Sequence, residues 1–104
     1  MRTLHFDDCT VTVMSDVQWD LQNDNIDIEV DLRDGRRFSA TLFTVENLSS
    51  LLNKFSVSGE CANGTFVWAV EMIVLRDLSE ESIHSMVREL TLTGEIESAM
   101  LPIG

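Results

Sequence analysis

IDIEVDLRDGRRFSATLF, residues 26–43, decides how this chain folds. Ile26, Ile28, Val30 and Leu32 alternate with Asp27, Glu29 and Asp31, the two-residue period of a strand with one buried face. After Arg33-Asp34-Gly35 the alternation resumes on Phe38, Ala40 and Leu42. Register then selects the loop. A two-residue Asp-Gly turn would pair Leu32 with Arg37 and set apolar side chains opposite polar ones. A three-residue loop, with Gly35 left-handed, pairs Val30 with Phe38 and Ile28 with Ala40. The three-residue loop is expected. It sets Asp31 across from Arg37, an ion pair worth roughly a few tenths of a kcal/mol. It also leaves Asp27 and Glu29 opposite Thr41 and Ser39, with no cation expected nearby.

Upstream, Cys9, Val11 and Val13 alternate with Thr10, Thr12 and Met14, a composition that favours another strand. Ser15 to Asn25 is polar and contains Asn23-Asp24-Asn25, so it reads as a loop. Its one large residue, Trp19, is flanked by Val17 and Leu21. Trp19 is expected either to anchor the loop in the edge of the core or to stand out as a contact for a partner.

Downstream, Thr44 caps a helix with apolar positions Val45, Leu48, Leu51, Leu52 and Phe55, ended by Gly59. Asn63-Gly64 carries a hairpin signal. Thr65 to Arg76 is the most hydrophobic stretch and is expected to form a central strand covered on both faces, bulged near Glu71. Ser79 caps a second helix with Glu80 and Glu81 in its first turn, where they complement the dipole. Its stripe is Ile83, Met86, Val87 and Leu90, and Gly94 ends it. Ile96 to Ile103 is expected to add a short strand or a packed tail. The two helical segments match at an offset of 35 residues, Thr44 with Ser79 and Gly59 with Gly94. Two equivalent helices side by side on one sheet face follow from that match. The expected fold is α+β: one domain, residues 1–104, with an antiparallel sheet of four to five strands and two helices packed on one face.

Charge narrows the function. The chain has 18 Asp and Glu against 7 Lys and Arg, a net charge of −11. Between Arg2 and Arg33 there is no Lys or Arg but there are eight carboxylates, and Lys54 is the single lysine. Such a surface attracts a basic partner and repels nucleic acid and anionic membranes. No run approaches the roughly 20 apolar residues of a membrane span. The N-terminus lacks the apolar stretch of a signal peptide, so a cytoplasmic location is expected. Cys9 and Cys61 show no CxxC or metal-ligand spacing and are expected to be reduced, with no metal and no cofactor. His5, Asp7, Asp8 and Cys9 are ligand types crowded into five residues, too close together to build a site without a distant partner. Neither a nucleophile motif nor a phosphate loop is present.

In size and charge alone, the chain is similar to small acidic inhibitor and immunity proteins that neutralise basic toxins. The leading expectation is a non-enzymatic domain that docks a basic protein through Asp27, Glu29 and Asp31, with Asp16, Trp19, Asp20 and Asp24 from the loop. Two alternatives stand beside it. Glu71, which interrupts an apolar run, could serve a small enzyme together with His84. Exposed strand edges could instead pair two copies into a structural homodimer.

Overall fold

The computed structural model describes residues 1–15 and 18–104. Among the described residues the fold is α+β, a six-stranded sheet with four helices. Its centre is the hairpin of β3 (Asn25–Leu32) and β4 (Arg37–Thr44). The register is the expected one: Val30 faces Phe38, Ile28 faces Ala40 and Asp31 faces Arg37. The Gly35 amide donates to the Leu32 carbonyl at 3.1 Å, and Gly35 takes a φ of 93°. That positive φ is why glycine suits the third loop position.

Strand β2 (Cys9–Val13) pairs antiparallel with β3, placing Val11 beside Val30 and Val13 beside Ile28 on the inner face. Thr12 and Thr10 consequently lie beside Glu29 and Asp31 on the outer face. Strand β1 (Arg2–His5) extends the sheet beyond β2. It carries one inward apolar residue, Leu4, and so gives no periodic signal in the sequence.

The other edge of β4 is shared. β5 (Met72–Leu75) runs parallel to its C-terminal half, and β6 (Leu101–Ile103) runs antiparallel to its N-terminal half. The expected long central strand over residues 65–76 is therefore corrected to a four-residue outer strand. Phe66, Trp68 and Val70 are exposed instead of covered. Hydrophobicity alone does not distinguish a buried strand from an apolar segment left at the surface.

Helix α1 (Val45–Ser58) is capped as expected, with the Thr44 hydroxyl accepting from the Asn47 amide and Gly59 left-handed. It leads into α2 (Glu60–Gly64), one turn in which Cys61, Ala62 and Asn63 take φ of 49°, 51° and 59°. Asn63-Gly64 thus closes a left-handed turn and no hairpin. Helix α3 (Glu80–Thr93) starts at Ser79, whose hydroxyl accepts from the Ser82 amide, and is followed by the short α4 (Ile96–Ala99).

The core lies between the inner sheet face and α3 with α4. Ile83, Val87, Ile96 and Met100 pack there against Val11, Val30 and Phe38. The two long helices are not equivalent. α3 buries Ile83 and Val87, whereas the only buried residue of α1 is Asn47. Their matching caps and stripes describe two amphipathic helices, and only α3 seals the core.

Candidate functional site

The outer face of β3 carries Asp27, Glu29 and Asp31 in a row, because Ile26, Ile28, Val30 and Leu32 occupy the inner face. Asp31 accepts from Arg37 Nε at 2.6 Å, the expected cross-strand ion pair. Arg37 also reaches Glu29 through Nη2 at 3.2 Å. The expectation that Glu29 has no cation nearby is therefore corrected. Glu29 is the diagonal same-face neighbour of Arg37, and a long side chain spans that distance. Asp27 accepts from the Thr41 hydroxyl, its cross-strand partner, at 2.8 Å.

Asp27 and Glu29 line an open concavity of about 250 Å³ on this face. The third carboxylate lining it is Glu71, supplied by the turn that precedes β5. Glu71 holds a φ of 51°, a left-handed conformation that costs a non-glycine residue roughly 1–2 kcal/mol. Its carbonyl accepts from the Thr41 amide at 3.1 Å and so continues the β4–β5 pairing. Met14, Val70 and Leu101, each about half exposed, form apolar walls. The result is an acidic hollow with greasy sides. It suits a cationic group carried on an aliphatic stem, such as a lysine or arginine side chain.

The loop residues of the candidate patch are placed differently. Trp19 is 6% exposed, and its indole N–H donates to the Leu78 carbonyl at 2.8 Å. The Arg2 guanidinium lies 5.2 Å from the centre of its ring. Trp19 is the loop anchor, and little of it is left to offer a partner. Asp20 accepts from the amides of Gln22 and Asn23 at 2.9 and 3.1 Å, and Asp24 accepts from the amides of Asp20 and Asn25 at 3.0 and 2.8 Å. These two carboxylates shape their own loop, as Asx turns do. Asp16 lies outside the described residues.

The second constellation weighed in the sequence, Glu71 with His84, is not brought together. Glu71 lines the outer hollow, whereas His84 stands on α3 at the far end of β2. The His84 ring stacks on Phe6 with centroids 4.1 Å apart and planes 2° from parallel. Its Nε2 lies 2.6 Å from Asp8 Oδ1. The Asp8 carboxyl is held below its ordinary value of 3.8, chiefly by that hydrogen bond. Cys9 follows in β2 with its side chain turned inward, 2% exposed. Burial, with the negative charge of Asp8 and Asp7, pushes its thiol up from 9.0 to about 11. A thiol so held is a poor nucleophile. Asp8 and Cys9 belong to the ligand types crowded into residues 5–9, and the fold brings His84 to them across 75 positions, a juxtaposition that no sequence spacing reveals.

Comparison of the chain with protein-family models, with curated proteins and with solved structures gives no match. Among the described residues, no helix is long and apolar enough to cross a membrane.

Proposed function

We propose that this chain is a non-enzymatic protein-binding domain whose acidic outer face docks a basic partner protein, in the manner of an inhibitor or immunity protein. One observation carries the reading: Asp27, Glu29 and Glu71 line a single open hollow with apolar walls. The net charge of −11 would speed encounter with a basic surface, and the hollow would fix where it docks. Asp31 belongs to the face as a brace, since it shares Arg37 with Glu29.

Immobilised protein exposed to a lysate of its source cells at low salt is expected to retain a basic protein that elutes as salt rises. A variant carrying Asp27→Asn, Glu29→Gln and Glu71→Gln is expected to lose that protein while keeping its melting temperature. Retention of the same proteins by both forms would sink the reading.

A homodimer is the second reading, favoured by the apolar strip Phe66, Trp68 and Val70 beside the outer strand β5. From Asn47 to Val70 the chain has only Lys54 and Glu60 as charged residues. Few charges within that segment would therefore oppose one another if two copies met there. Light scattering decides this: a dimeric mass that Trp68→Ser converts to monomer supports it, and a monomeric wild type removes it.

A further inference from the structure

We propose that Asp8, Cys9 and His84 form a binding site for one divalent transition ion of the zinc class, joining the β1–β2 turn to helix α3. One ligand atom from each residue lies within 4.8 Å of the other two. The set mixes a sulfur, an imidazole nitrogen and a carboxylate oxygen. Such a mixture suits zinc and its neighbours and disfavours magnesium and calcium, which take oxygen donors. Zinc holds these donors at about 2.0–2.3 Å, so four ligands in a tetrahedron stand within about 4 Å of one another. Small side-chain rotations bring the cluster to that spacing, above all at Asp8, whose carboxylate is 44% exposed.

Local structure prepares the site. Residues Phe6 to Asp8 turn the chain tightly between β1 and β2, closed by the Phe6 amide donating to the Cys9 carbonyl at 3.0 Å. That turn presents Asp8 and Cys9 side by side. The Phe6 ring lies flat on His84 and fixes the imidazole plane, so Nε2 is aimed at Asp8 before any ion arrives. A ligand oriented in advance loses less freedom on binding. Three protein ligands leave a fourth position open. A hollow of about 170 Å³ beside Asp8 and Cys9, edged by Arg88 and Thr91, would admit water or a small anion to it. This site is separate from the acidic hollow on the outer face, so neither proposal depends on the other.

Full-length protein, stripped with a chelator and kept reduced, is titrated with zinc chloride by calorimetry and with cobalt(II) by absorption. The expected result is one ion per chain. Cobalt should give the intense visible bands of a four-coordinate site and a sulfur-to-cobalt charge-transfer band. Zinc should raise the melting temperature of the wild type by mass action. His84→Ala and Asp8→Asn, both changes at partly exposed positions, should each weaken zinc binding by more than the 10- to 100-fold typical of losing an outer-shell partner. Cys9→Ser should abolish the charge-transfer band, and Cys61→Ser should leave it intact. Absence of stoichiometric binding would overturn the proposal, as would unchanged affinity in His84→Ala or a charge-transfer band that depends on Cys61. Because Cys9→Ser changes a buried position, His84→Ala carries the decision if that variant fails to fold.

Discussion

Trp19 stands in a polar, acidic loop, yet its indole is buried and tied to the Leu78 carbonyl. Trp19→Phe, which removes that hydrogen bond and part of the buried ring volume, should destabilise the protein by at least about 1–3 kcal/mol in urea unfolding, because a buried carbonyl loses its donor and a cavity is left. Trp68 is 68% exposed, and Trp68→Phe should change stability by less than about 0.5 kcal/mol. Equal effects from the two substitutions would contradict this division of roles. The cysteines divide in the same way. Cys9 is buried with its thiol raised to about 11, whereas Cys61 is partly exposed. A thiol reagent near neutral pH should therefore modify Cys61 first and Cys9 far more slowly. The raised value also has a consequence for stability. Below the ordinary 9.0 both states keep the proton and nothing is lost; above it the unfolded thiol ionises first. In the metal-free chain, stability should fall as pH climbs from 9.0 towards about 11, by at most about 1.4 kcal/mol per pH unit. Unfolding curves across that range check the sign, and Cys9→Ala should flatten the slope.

Among the elements, those with a strong period and a cap were legible. β2, β3, β4, α1 and α3 follow from alternation, from Thr44 and Ser79, and from Gly59 and Gly94. The 65–76 stretch departs from its expected central strand because a run of apolar residues reports hydrophobicity, and whether it is covered depends on tertiary packing. The turn before it could not be read either: three non-glycine residues in the left-handed region defy local preference. Gly64 helps hold that turn against α1, since a Cβ there would stand 2.3 Å from the Leu52 carbonyl oxygen. Gly64→Ala should accordingly loosen α1 and α2 and cost well over 1 kcal/mol, while Gly35→Ala meets no neighbour and pays only for its positive φ. Hydrogen exchange localised to residues 45–65 would show the difference. At α3, Ser79→Ala should cost about 1 kcal/mol through the lost N-cap. The Asp77 carboxyl is held below 3.8 chiefly by hydrogen bonding with the Ser79 side chain, then by the Ser82 hydroxyl, which donates to it at 2.7 Å, and by the Ser79 amide at 3.0 Å. Its support is present above 3.8 and disappears as pH falls through the lowered value.

Across the whole molecule, charge and shape are what remain to be explained. The radius of gyration is 14.3 Å, against about 13 Å for a compact chain of this length, and the longest dimension is 45 Å. Half-buried α1 and the exposed strip at residues 66–70 are consistent with this extended outline. The acidic row on β3 was legible from alternation and register. Glu71 stands out in the sequence only as a carboxylate interrupting an apolar run, and the fold sets it beside Asp27 and Glu29. Asp20 and Asp24 resembled the row in composition but serve the loop backbone, a role set by hydrogen bonds that no charge count reveals. The proposed docking of a basic protein depends on where the carboxylates stand, and not on net charge alone. Two triple variants of equal net charge separate these: Asp27→Asn with Glu29→Gln and Glu71→Gln, and Glu81→Gln with Glu89→Gln and Glu95→Gln. The affinity of each for the basic protein captured by the wild type is the deciding measurement, taken by calorimetry at one fixed salt concentration. The first variant should bind at least about tenfold more weakly than the wild type, a loss of about 1.4 kcal/mol, and the second should stay close to it. Equal affinities for the two variants would contradict the account.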